Sequence, residues 1–107
     1  MMDKKETLVK RLRNFFIEIS PEYSFKKVIL FGSRAGEKPR RESDVDLLLV
    51  SEKFRKKSRL DRSPPLYLKW NLKYPVDFLC LTPEEFEQKK KFIGIVQTAV
   101  KEGIRVL

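Results

Sequence analysis

A chain of 107 residues has room for one modest hydrophobic core and not for two, so a single domain over 1–107 is expected. Its composition, 41% hydrophobic and 36% charged, is that of a globular rather than a disordered protein, and the absence of histidine excludes an imidazole base, a His-ligated zinc and a Ser-His-Asp triad. The formal charge of +9 points to a polyanionic partner such as a nucleotide, a nucleic acid or an acidic protein surface, or alternatively to the Lys/Glu-rich surface of a thermophile.

Cys80 is the single cysteine, which rules out an internal disulfide and a cysteine-based metal cluster and leaves it as a buried strand residue. The longest apolar runs are far below membrane-spanning length. The opening stretch lacks the continuous apolar segment of a secretory signal, so a cytoplasmic protein is expected.

In chain order, Asp3 with Glu6 resembles a capping box, and Leu8, Leu12, Phe15, Phe16 and Ile19 recur at helical spacing until Pro21, which is expected to stop the helix. "KVILF" over Lys27 to Phe31 is a short, continuous apolar run typical of a strand buried on both faces, and Gly32 ends it. Residues 34 to 43 read as a polar loop or short helical turn. A second strand is expected from Asp44 to Val50.

The basic segment with Lys53, Arg55, Lys56, Lys57, Arg59 and Arg62 reads as a solvated mobile loop, with a grip on an acidic partner or RNA as the alternative. Ser63 before Pro64 supplies an N-cap and a first helical residue. On that helix Leu66 and Trp70 lie one turn apart, Trp70 and Tyr67 are read as core residues, and Pro75 is expected to close it. Val76 to Leu81 is the third strand.

Thr82, Pro83 and Glu85 repeat the cap signature and open a helical region running towards Glu102, interrupted at Gly94, with Gly103 as its stop and "IRVL" as a last short strand. Helices alternating with strands imply an α/β or α+β fold, a mixed sheet of three to four strands with helices packed on it.

Two carboxylates interrupt the second strand. Alternation places Asp44 and Asp46 on one face, with Val45, Leu47 and Leu49 on the other. Like charges on a hydrophobic strand repel and lose hydration, a cost that a divalent cation reverses. Mg²⁺ is usually bound by a few carboxylates plus substrate phosphates and water, and Asp77, which breaks the third strand as Asp46 breaks the second, offers another ligand.

Upstream, Gly32 lets a ligand approach the backbone and Ser33 adds a hydroxyl to N–H groups able to face an anion. Arg34, Lys38, Arg40 and Arg41 are candidates to offset the charge of a triphosphate.

"GS" at 32 to 33 followed by "DVD" at 44 to 46, with "VDFL" at 76 to 79, resembles the signature of the polymerase-beta-type nucleotidyltransferases. More narrowly, "LFGSRAGE…SDVDLLLV" is similar to the minimal nucleotidyltransferase (MNT) proteins that serve as antitoxins in HEPN/MNT toxin–antitoxin pairs. The family's usual "GSRARGE" reads "GSRAGE" here, one arginine short, a departure that touches the loop's phosphate contacts and not the acids.

The resemblance implies the nucleotidyltransferase fold and transfer of AMP from ATP to a hydroxyl, a tyrosine of a HEPN partner, with loss of pyrophosphate. Asp44 and Asp46 would bridge two Mg²⁺ ions, Asp77 would complete the site of one of them, and Gly32, Ser33 and Arg34 would hold the nucleotide. Two metals serve an in-line displacement without any histidine. The alternatives are an antitoxin that neutralises its partner by contact alone and a small-molecule nucleotidyltransferase. Direct nucleic-acid binding rests only on charge, with no interleaved aromatic platform to support it.

Overall fold

A computed structural model describes residues 4–36 and 44–107. The expected cap at Asp3 lies outside them. Helix α1 (Lys4–Tyr23) buries Leu8, Leu12, Phe15 and Phe16 of the stripe that the periodicity predicts, with Ile19 partly buried against the same core and Tyr23 added to it. It does not stop at Pro21 but carries that residue in its last turn. Proline there removes only one bond, to the carbonyl of Ile17, whose side chain is exposed. The helix ends at Ser24, whose left-handed φ of 49° sends its N–H back to the Ser20 carbonyl at 2.6 Å.

Strands β1 (Lys27–Phe31), β2 (Val45–Val50), β3 (Val76–Leu81) and β4 (Ile104–Arg105) form one mixed sheet in the order β3-β2-β1-β4. β1 is antiparallel to β2 and to β4, whereas β2 and β3 are parallel. A parallel pair needs a long crossover, and residues 51–75 supply it. They carry a 3₁₀ turn (Glu52–Lys56) and the short helices α2 (Arg59–Arg62) and α3 (Pro64–Lys69), where the sequence predicted a loop and one helix.

Ser63 is not the expected side-chain cap. α2 runs straight into it, so it keeps helical angles (φ −85°, ψ −30°) instead of the extended ones that a capping side chain needs. Its carbonyl accepts from Leu66 at 2.9 Å and Tyr67 at 3.1 Å. α3 also ends before Pro75: Trp70 turns extended, and its indole N–H donates to the Tyr74 carbonyl at 2.8 Å, which folds the following residues back.

Thr82 and Glu85 form the predicted capping box at the start of α4 (Pro83–Lys89), and α5 (Ile95–Glu102) follows Gly94. The Gly103 N–H closes α5 on the Ala99 carbonyl at 2.8 Å. Beyond β4 the chain stays docked, with Val106 donating to the Val28 carbonyl at 2.7 Å.

Side-chain alternation splits the sheet between two cores. Val28, Leu30, Val45, Leu47, Leu49 and Cys80 pack with α1, Phe54 and Leu66. Ile29, Leu48, Val50 and Leu81 pack with Phe86, Val96 and Ala99 of α4 and α5. β2, central and covered on both faces, is buried throughout except at Asp46. Trp70 joins the first core as read, edge-on to Phe15 and Phe78.

The basic segment is not a free loop. Arg55 pairs with Glu52 and Glu84. The Arg62 side chain is 7% exposed and meets Glu85 at 2.7 Å, while also donating to the carbonyls of Cys80 at 3.1 Å and Lys57 at 3.2 Å. This guanidinium fastens the crossover to β3 and α4.

Burial alone would raise the Glu85 pKa, but hydrogen bonds from Arg62 and from the Thr82 N–H, with the arginine charge, hold it below its ordinary value of 4.5. A depressed carboxylate stabilises fully above that value and loses its contribution as pH falls through the folded one. Arg62→Ala is therefore expected to cost roughly 3 kcal/mol at neutral pH, as for a broken buried pair. Urea melts should show the penalty shrinking in acid, where Glu85 is protonated in both proteins.

Candidate active site

The end of the sheet where β1 finishes and β2 and β3 begin gathers the acids. In the register Phe31 stands opposite Asp46, and Asp46 stands beside Asp77. Asp46 and Asp77 therefore share a face and a level, on the side of the sheet that carries Leu48 and Leu81. Asp44 is not a strand residue: it precedes β2 and is exposed. Val45 begins the strand, with its N–H on the Pro75 carbonyl at 2.8 Å and its side chain buried in the α1 core.

Asp46 is the focus of the charge. Its pKa is pushed above the ordinary 3.8, first by burial, then by the negative charges of Asp77 and Asp44. Such a group favours a neighbouring cation.

Gly32 fits against it. The backbone there has φ 76° and ψ −161°, a region essentially open only to glycine. A Cβ at this position would stand 2.3 Å from Asp46 Oδ2. The missing side chain thus leaves the carboxylate oxygen its place beside the backbone. Ser33, exposed, opens a one-turn 3₁₀ helix (Ser33–Ala35), whose turn closes with the Gly36 N–H on the Ser33 carbonyl at 3.2 Å.

Arg34 follows in that turn, its guanidinium 5.3 Å from the centre of the Tyr74 ring. Lys38, Arg40 and Arg41 lie outside the described residues. Cys80 is buried in β3, as read, and burial pushes its thiol up to about 12, so it is not a nucleophile at neutral pH.

Tyr67 was read as core and is not. It is 41% exposed, leans on Phe78 with ring centres 4.9 Å apart, and donates its hydroxyl to Asp77 Oδ1 at 3.2 Å. The Tyr67 hydroxyl oxygen in turn accepts the Phe78 N–H at 3.4 Å. Burial first, and then the Asp77 charge and hydrogen bond, raise the phenol pKa against the lowering effect of the Phe78 N–H. The signal was present in the sequence: Leu66 takes the core face of α3, and the next residue lies about 100° further round a helix.

Among the described residues no three or more carboxylates or thiols form a ready-made cage for a metal ion. The arrangement is instead a half-site, with Asp77 beside Asp46 and with Asp44 and Asp77 exposed to solvent. That suits an oxygen-seeking ion such as Mg²⁺, which keeps waters and takes further ligands from a bound phosphate. The crowded charge at Asp46 and the room left by Gly32 both fit it.

The mixed sheet thus ends in these carboxylates, with the Gly-Ser turn beside them. The sequence profile of the nucleotidyltransferase domain matches residues 9–106, and the chain belongs to that family. No curated protein matches the sequence. Among solved structures, the crystal structure of a candidate nucleotidyltransferase from Sulfolobus solfataricus superposes with a TM-score of 0.66 over 94% of this chain and 80% of that one. At 20% identity the likeness speaks for the fold. No helix among the described residues is long and apolar enough to cross a membrane.

Proposed function

We propose that this nucleotidyltransferase moves AMP from ATP to a tyrosine hydroxyl of a HEPN-type toxin, silencing it as an antitoxin in the cytoplasm, and that residues 1–107 act as one minimal catalytic domain. The observation that carries the transfer chemistry is the register that sets Asp77 beside Asp46, with Gly32 seated against the same carboxylate.

Asp44, Asp46 and Asp77 would hold the Mg²⁺ ions, two of them in the full reaction. When bound, they neutralise the triphosphate and lower the pKa of the entering hydroxyl. The chain's own residues do the rest. Gly32 lets the phosphates approach the backbone, Ser33 offers its hydroxyl to them, and Arg34 offsets their charge. Asp77, exposed at the start of the edge strand, meets the entering hydroxyl and takes its proton.

The exposure of Ser33, Asp44 and Asp77 supports an acceptor delivered by a second protein, which would also exclude water. The experiment is incubation of the purified protein with its HEPN partner, ATP and Mg²⁺. The expected result is a partner mass increased by one or more AMP units on a tyrosine. An unchanged partner mass defeats the reading, and toxin neutralisation that survives conversion of Asp44 and Asp46 to asparagine assigns the protein to contact inhibition instead.

A further inference from the structure

Asp77 already has a hydroxyl in its grasp, and it belongs to this chain. Tyr67 sits on α3, outside both cores, with its ring resting on Phe78. The Phe78 N–H donates to its oxygen at 3.4 Å, and its own proton is directed to Asp77 Oδ1 at 3.2 Å. Asp77 in turn is level with Asp46, the most crowded charge of the site. Position in the site, exposure and a bonded proton acceptor are what an entering hydroxyl needs.

The other two tyrosines lack that combination. Tyr23, the last residue of α1, is buried, and the Tyr74 hydroxyl accepts from Arg11 at 3.4 Å. Among the described residues only Tyr67 presents a hydroxyl to one of the three site acids.

We infer that Tyr67 is an acceptor in cis: the protein nucleotidylates its own Tyr67 from a bound nucleoside triphosphate. Tyr67 Oη forms a bond to the α-phosphorus, the bond from that phosphorus to the bridging oxygen of the β-phosphate breaks, and its electron pair leaves with pyrophosphate. The phenolic proton passes to Asp77 Oδ1. The product is a phosphodiester joining the tyrosine to the nucleoside. Its bulk displaces the Tyr67–Asp77 hydrogen bond, so each chain reacts there once.

The inference rests on the nucleotidyl-transfer reading, and the experiment separates the two. The full chain is incubated alone with ATP and Mg²⁺, and its intact mass and peptide map are followed at several protein concentrations, with nucleotide binding measured in parallel by calorimetry. The expected result is a gain of one AMP unit on Tyr67, with a rate constant independent of protein concentration. Tyr67→Phe, which keeps the ring on Phe78, should remove the label, and Asp77→Asn should slow it at least about a hundredfold.

An unlabelled protein that binds Mg²⁺ and ATP overturns self-modification and leaves transfer to another acceptor standing. A protein that neither binds nucleotide nor gains mass removes both. Label on a different residue, or a rate constant that rises with protein concentration, overturns the assignment to Tyr67 in cis.

Discussion

Asp46→Asn is expected to move stability and transfer in opposite directions. The wild-type carboxyl has a raised pKa because it is partly buried and faces Asp77 and Asp44. A group raised in the folded state favours folding below its ordinary value of 3.8 and loses that contribution as pH rises through the folded value. At neutral pH the ionised Asp46 therefore opposes folding of the metal-free protein. Asparagine keeps the shape and removes the charge, so the metal-free variant should melt at a higher temperature than wild type at pH 7, and the gap should close in acid.

Adding Mg²⁺ and ATP reverses the order. A ligand at a hundred times its dissociation constant stabilises the folded state by about 2.7 kcal/mol, a gain that wild type should show and the variant lack. Nucleotide transfer should fall at least about a hundredfold, the size of effect seen when a preorganised electrostatic group is removed from a transition state. Thermal melts with and without ligand, alongside transfer assays, check all three parts. A metal-free variant less stable than wild type at pH 7 would contradict the account of Asp46 as a crowded charge.

Gly32→Ala should be damaging through geometry instead of charge. Alanine at φ 76° and ψ −161° carries a backbone penalty of about 1–3 kcal/mol, and its Cβ would press to 2.3 Å from Asp46 Oδ2. Something must move: either the turn leaves the end of β1, or the Asp46 carboxylate rotates away from Asp44 and Asp77. Both outcomes spoil the half-site. The expected result is an unfolding free energy from urea melts lowered by that penalty, and loss of Mg²⁺-dependent ATP binding by calorimetry. Gly36→Ala, a change at a glycine with an extended backbone (φ −75°) and 3.4 Å of clearance, is the control and should leave stability within about 0.5 kcal/mol.

The sequence by itself determined much of this protein. The runs at 27–31, 44–50 and 76–81 mark the strands, the second with one residue too many at its start, and Thr82, Pro83 and Glu85 mark a helix start, because burial on both faces and satisfaction of the first helical N–H groups are local requirements written in adjacent residues. The acids stand out for the same reason, as charges inside runs that are otherwise apolar. Local pattern misled where a neighbouring segment overrode it: Pro21 was tolerated on the solvent side of α1, and Ser63 stayed helical because α2 delivers the chain to it in that conformation.

Only the tertiary structure decided which distant residues meet. The parallel register that sets Asp77 beside Asp46, the contact of Gly32 with that carboxylate, the reach of Tyr67 to Asp77 and the burial of Arg62 on Glu85 all join segments separated by a crossover or a turn. A strand pairing shifted by one residue would turn Asp77 to the opposite face while leaving every local hydrophobic pattern intact. The site therefore depends on how α1, α4 and α5 clamp the sheet, and that packing is a property of the assembled chain.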